Sequence, residues 1–406
     1  MTLLSVVAIA VACLVAVVAL NPRLMRAPLW RATVTPLASI IGSGFLVAGP
    51  ILAHATGNWA FLSMAALCVV AYVFGFAIRR NIALVEPLLE GDTPRALLVL
   101  ERVSEFALAF AYFVSVAYYL NLFAAFVLRG FGIVDEHTTR TVSSAVIIGI
   151  GIFGAVRGLH GLETIEETAV GIKLSLISGL LSSLALAAFM AMSSGTFQLS
   201  SMEHATGLGE IRVLLGLIIL VQGFETSRYL GASYDRPTRI KTMRYAQWIS
   251  TIIYIVFILL ITPYFQGALP EKGGETAIID LLKPLGTFVP PLLIIAAIAS
   301  QLSAAVADMN GAGGMLHHAT KNRLPLFAGY LATAGVALLI TWSGNIYEII
   351  VLASKAFVIY YALQCIMAAL VALRPGPNRN VALAVLFGLA TLLAIAILAY
   401  GIPAEA

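Results

Sequence analysis

Apolar residues fall into twelve long runs, at about residues 3–20, 32–54, 58–78, 99–128, 141–156, 164–192, 210–230, 245–266, 285–312, 324–342, 346–373 and 380–401. Each is close to the roughly 20 residues that a helix needs to cross a bilayer core about 30 Å thick. Backbone groups in lipid must bond within their own segment, and the period-two alternation of a transmembrane barrel is missing here. The pattern predicts an all-α membrane protein of about 12 transmembrane helices. Residues 81–98 hold four charges and two prolines and read as a short interfacial segment instead. The first run, LLSVVAIAVACLVAVVAL, has no basic residue ahead of it and no clean small-residue cleavage site behind it, so it reads as a retained helix.

Composition narrows the class further. The 406 residues are 60% hydrophobic and 11% charged, against about 25% charged in ordinary soluble domains. No large water-soluble domain fits between the runs. Of the 24 basic residues, 18 collect on one side of the predicted spans, among them Arg23, Arg26, Arg79, Arg80, Arg236, Arg239 and Arg244. That bias makes their side cytoplasmic and both termini external. It also accounts for the net charge of +4 without a nucleic-acid partner. Cys13, Cys68 and Cys365 lie inside apolar runs, with no CxxC or HExxH spacing. No disulfide, metal or cofactor is expected, and the absence of paired nucleophiles or carboxylates at catalytic spacing argues against an enzyme.

Two runs carry interruptions. In TPLASIIGSGFLVAGPIL, Gly42, Ser43 and Gly44 sit mid-run, and in LIILVQGFETSRYLG, Gly223 stands beside Gln222, Phe224 and Glu225. Glycine weakens a helix by about 1 kcal/mol against alanine, and freed backbone groups at membrane depth are tolerated only where they face a cavity or ligand. The alternative for GSG is close helix packing. Five spans separate the two interruptions, the arrangement of transporters built from inverted five-helix repeats whose first helices are discontinuous. Exposed N–H groups suit a carboxylate and unwound carbonyls suit a cation, so a zwitterionic amino acid fits such a site.

On these residues the sequence resembles the amino acid, polyamine and organocation (APC) transporter superfamily, with its leucine-transporter-type fold. IIGSGFLVAGPILAHATGNWAFLSMAALCVVAYVFGF resembles the first and second core helices of that superfamily, QGFETSRYLGASYDRPTRIKTMRYA the sixth and the loop after it, and GAGGMLHHATKNRLP the end of the eighth. Two features depart from the pattern: Met315 to His318 stand where an arginine is often found, and the tenth core span carries Lys355. The resemblance implies two inverted repeats, residues 32–192 and 210–373, with an extra helix and linker at 1–31 and another helix at 374–406. It further implies alternating access, with substrate held at the breaks and flanked by the third, eighth and tenth core helices.

The substrate-contacting candidates are Ile41, Gly42, Ser43, Gly44, Tyr118, Tyr119, Gln222, Gly223, Phe224 and Glu225. Intramembrane acids are functional by default, although Glu225 has Arg228 three residues away as a structural partner. Phe224 suits a gate, and Tyr118 or Tyr119 suits a hydrogen bond to substrate, against ordinary aromatic packing. Coupling candidates are Lys173, Ser300 and Ser303. Counted from a helix start at Leu162, Lys173 lies about 16 Å into the bundle; a snorkelling lysine is the rival account. The resemblance places Lys173 where proton-coupled carriers hold a lysine in place of a sodium ion. Asp308, and Glu348 with Lys355, have no assigned role, and Asp280 with Lys283 reads as an exposed ion pair. The expected function is secondary transport of an amino acid or related amine, driven by protons, in a plasma membrane of bacterial inner-membrane type. The alternatives are a sodium-coupled symporter or exchanger, and a non-transporting membrane sensor or assembly protein.

Overall fold

A computed structural model describes residues 3–91, 94–197, 207–265, 273–320, 323–377 and 379–404; the side chains of Ser43, residues 158–167, Ala232 and His318 lie outside that description. Fourteen α-helices and no strand occur among the described residues. They are α1 (Leu3–Ala19), α2 (Pro22–Met25), α3 (Pro28–Thr56), α4 (Ala60–Leu84), α5 (Glu86–Leu89), α6 (Arg95–Gly130), α7 (Glu136–Ser193), α8 (Leu208–Leu215), α9 (Arg236–Ile261), α10 (Ile278–Leu282), α11 (Val289–Ala319), α12 (Leu326–Thr341), α13 (Ile346–Leu373) and α14 (Val381–Tyr400). Eight helical stretches are long and apolar enough to cross a membrane, and α1 and α12 are shorter apolar helices.

Local chemistry explains the boundaries. Proline at the first turn of α2, α3 and α9 costs nothing, because that N–H has no partner within the helix. Gly57, at φ +52°, ends α3 and lets the chain turn into α4. Asp135, Asp235 and Asn380 cap α7, α9 and α14 by accepting a backbone N–H. The interfacial segment foreseen at 81–98 becomes the end of α4, the single turn of α5 and the start of α6. The runs 141–156 and 164–192 instead share one element, α7, of 58 residues. The sequence from Glu136 to Ser193 contains no proline to stop a helix.

The two expected interruptions have different outcomes. α3 runs as one helix through Gly42, Ser43 and Gly44, so the predicted break there is absent. The two glycines serve close packing: a Cβ at Gly42 would strike Ala304 of α11, and one at Gly44 would strike Leu220. The seventh run is broken. After α8 the chain forms a 3-10 segment at Ile218–Val221, leaves helical geometry at Gln222 and Gly223, and resumes as 3-10 helix at Phe224–Ala232. Gly223 has φ +118°, and a Cβ there would lie 2.6 Å from both Ile40 N and Ser39 Oγ. Only glycine allows this conformation and this contact together.

α3, α6, α11 and α13 pack with the broken segment into a continuous apolar core, while α1 lies along α7 and α14 along α13. This arrangement brings residues from four helices against the Gly223 break.

Candidate functional site

Three carbonyls of α3 attract side chains from other helices. Lys173 Nζ donates to Ala38 O at 2.6 Å and to Ser303 Oγ at 2.9 Å. Ser303 Oγ donates on to Ser300 O at 2.9 Å, Ser300 Oγ donates to Ile41 O at 3.3 Å, and Tyr254 Oη donates to Ile40 O at 2.8 Å. A carbonyl in a continuous helix keeps a second lone pair for such donors. Lys173 is fully buried, so the snorkelling account does not hold. The depth estimate from Leu162 also fails, since α7 begins at Glu136. The three coupling candidates nevertheless stand together, beside Ile41.

The break itself is lined by its own side chains. Gly223 N–H donates to Glu225 Oε2 at 3.0 Å, and Tyr361 Oη donates to the same oxygen at 2.8 Å. Gln222 Nε2 donates to Tyr119 Oη. Phe224 stacks on Tyr361 with ring centroids 5.2 Å apart, and Tyr118 is buried against Tyr119, also at 5.2 Å. Glu225 Oε1, Gln222 Oε1 and Tyr112 Oη are buried without a hydrogen-bond partner. Unsatisfied polar atoms at such depth are costly and call for an explanation.

Residues without a sequence-assigned role complete the site. Asp308 accepts from Ser39 Oγ of α3 at 2.9 Å and from Ser115 Oγ of α6. Tyr112 of α6 lies within electrostatic reach of both Glu225 and Asp308, and Tyr119 interacts with Ser39. Asp308 was visible as an acid in an apolar run. Tyr112, Tyr361, Ser39 and Ser115 gave no signal, because common residues in apolar runs become polar partners only when helices meet.

Several expected pairings are corrected. Arg228 does not pair with Glu225; it forms a two-pronged contact with Glu101 at 2.9 and 2.8 Å and also reaches Gln364. Residues three apart in 3-10 geometry share a face, so spacing alone would allow the pair; Tyr361 and the Gly223 N–H take Glu225 instead, and Glu101 and Gln364 take Arg228. Asp280 pairs with Arg129 rather than Lys283. Glu348 bonds back to Asn345 N at 2.9 Å in a capping box at the start of α13, which accounts for it without Lys355.

The two ends of the bundle differ. At the end rich in basic residues, Gln364 joins Asn81 Nδ2 at 2.9 Å, Ser104 Oγ at 3.1 Å and Arg228, while Arg239 holds Glu86 at 2.6 Å. At the opposite end lies an open cavity of about 460 Å³ lined by Asn121, Arg129, Glu136, Arg140, Glu275 and Tyr347. Burial pushes the Glu275 carboxyl above the usual range, with Arg129 acting in the other direction. Asn121 at the cavity lies on α6 three residues from Tyr118. The cavity thus opens at one end of the bundle, and charged and amide contacts join helices at the other.

Comparison with known proteins agrees with this architecture. A family described as APC superfamily transporter matches residues 22–401 of the chain. A protein of Aquifex aeolicus (strain VF5), described as uncharacterized, is 44% identical over 356 residues, covering 87% of this chain and 86% of its own. A match over residues 22–401, which takes in the Gly223 break and the Lys173 region, makes this integral membrane protein a member of the APC superfamily of transporters.

Proposed function

We propose that the protein is a secondary active transporter of a small amine-bearing solute, an amino acid or related amine, working by alternating access and driven by protons. Residues 32–192 and 210–373 form its two repeats, flanked by the segments 1–31 and 374–406. The Gly223 break, with Gln222, Phe224, Glu225, Tyr118 and Tyr119, contacts the solute. Ile41, Gly42, Ser43 and Gly44 form the adjoining wall of α3. The structure supports an external-facing arrangement, with a cavity at one end and polar contacts across the other.

The observation carrying the proton reading is the Lys173 ammonium, held by a carbonyl of α3 and a hydroxyl of α11. Two helices that must part in alternating access are thereby tied through one titratable charge. Loss of its proton removes the charge and weakens the tie, linking helix separation to protonation. The test is uptake into proteoliposomes under an imposed pH gradient, with and without sodium, across labelled amino acids and amines. Uptake driven by the pH gradient alone supports the reading, and a strict sodium requirement overturns it.

A further inference from the structure

The buried carboxylates of the bundle are held by partners of different kinds. Glu101 takes the Arg228 guanidinium, and Glu225 takes the backbone N–H of Gly223 along with the Tyr361 hydroxyl. Guanidinium and backbone N–H groups only donate, so they favour an ionised acid. Asp308 instead accepts from two serines, Ser39 Oγ of α3 at 2.9 Å and Ser115 Oγ of α6. A serine hydroxyl donates or accepts according to its rotation. It gives its proton to a carboxylate and turns to receive the O–H of the neutral acid, so this pair serves Asp308 in both protonation states.

Asp308 is fully buried in α11, where an acid is costly and marks function by default. Its place is the seam between α3 and α11 that Lys173 also holds. Ser39 directly follows Ala38, whose carbonyl takes the Lys173 ammonium, and Ser303, the other partner of Lys173, stands five residues before Asp308. Around the carboxyl, Tyr112 and Tyr119 of α6 are within electrostatic reach, and Glu225 of the broken segment acts on the same two rings. Tyr361 of α13 faces Tyr112, and Tyr330 of α12 turns its hydroxyl to Asn310. Hydrogen bonds to an ionised acceptor are roughly twice as strong as neutral ones. A proton added to Asp308 therefore weakens its ties to α3 and α6 together, and both helices pack on α11.

We infer that Asp308 is a second proton-binding residue of the coupling step, acting with Lys173 on the α3–α11 seam. This deepens the transporter reading above and rests on it. In the step, a proton from water on the side of higher proton concentration forms an O–H bond with one carboxylate oxygen, and Ser39 or Ser115 turns to accept from it. With the charge gone, α3 and α6 part more readily from α11. The same O–H bond breaks when the proton leaves to water on the other side, and no other covalent bond changes.

The experiment compares the full chain with Asp308→Asn, which keeps the size of the side chain but binds no proton, and with Asp308→Glu. Protein in proteoliposomes is titrated with pH by infrared difference spectroscopy, which reads the carbonyl band of a protonated carboxylic acid. The same proteoliposomes are assayed with labelled amino acids and the amines derived from them, for accumulation under a pH gradient and for counterflow without one. The expected result is a pH-dependent acid band that loses intensity in Asp308→Asn and keeps it in Asp308→Glu. Accumulation falls about tenfold or more in Asp308→Asn and returns in Asp308→Glu, while counterflow is retained, because exchange needs no net proton movement. An acid band unchanged in Asp308→Asn overturns the inference, as does full pH-driven accumulation in that variant, and either result leaves the transporter reading standing. Loss of counterflow together with accumulation in a folded Asp308→Asn protein also overturns it, since a purely structural or solute-holding role gives that pattern. A wild-type protein that neither accumulates nor exchanges any of these solutes overturns the transporter reading and the coupling role with it, whatever the band shows. If Asp308→Asn fails to fold, Ser115→Ala decides. A move of the pH midpoint of uptake by about one unit, the size expected for the loss of one charge-assisted hydrogen bond, supports the inference, and an unmoved midpoint overturns it.

Discussion

Lys173 donates to the Ala38 carbonyl at 2.6 Å, joining the second half of α7 to α3 one turn before Gly42. An ammonium buried there is retained against a desolvation penalty of several kcal/mol, so its removal affects more than packing. Lys173→Ala is expected to reduce pH-driven uptake at least tenfold, and added sodium is expected not to restore it. Proteoliposome uptake measures this, and size-exclusion behaviour of the variant separates loss of transport from loss of fold. Full activity in a folded Lys173→Ala protein would remove the coupling role.

Arg228 and Glu101 form the buried member of the contacts at the end of the bundle opposite the cavity, with side chains 2% and 12% exposed. Removing one partner from such a pair leaves a stranded charge and costs about 3–5 kcal/mol. Glu101→Gln and Arg228→Met are each expected to lower the melting temperature by several degrees. The double variant should lose less than the sum, because neither charge remains. A thermal-stability double-mutant cycle measures the coupling. In parallel, a cysteine at Ser104 should become reactive to reagent from the cytoplasmic side in either single variant.

Gly223→Ala forces a side chain into φ +118° and against Ile40 and Ser39. Backbone strain of this kind costs about 1–3 kcal/mol, and the contact adds to it. The variant should melt lower and lose transport. Gly314→Ala, where a Cβ meets nothing within 4 Å on α11, should be neutral or slightly stabilising. Comparable melting curves for the two would contradict the assigned geometry of the break.

Glu275 lies outside the spans and its carboxyl is raised above the ordinary range, first by burial. A raised acid binds its proton more readily in the folded state than in the unfolded one. Folding is therefore penalised as pH rises through the ordinary glutamate pKa of about 4.3 towards the higher folded value, and the penalty stays at neutral pH. Glu275→Gln should raise the melting temperature at pH 7 and make little difference near pH 4. A scan across this window that shows destabilisation at pH 7 would mean that Arg129 outweighs burial.

Hydrophobic patterning alone determined the class of this protein. Runs of about 20 apolar residues leave the backbone no option but helix in lipid, and several of the observed helix boundaries follow a proline, glycine or capping residue readable in the chain. Gly223 was legible as a break because polar Gln222 and Glu225 flank it. Gly42 and Gly44 were not distinguishable from it, since glycine serves both an unwound turn and a close approach. Only the position of Ala304 and Leu220 opposite them decided for packing. The partners of Arg228, Asp280 and Asp308 likewise come from helices 127 to 269 residues away in sequence. Spacing along one helix limits which residues share a face. Which helix that face meets depends on how all of them pack, and that is a property of the assembled bundle.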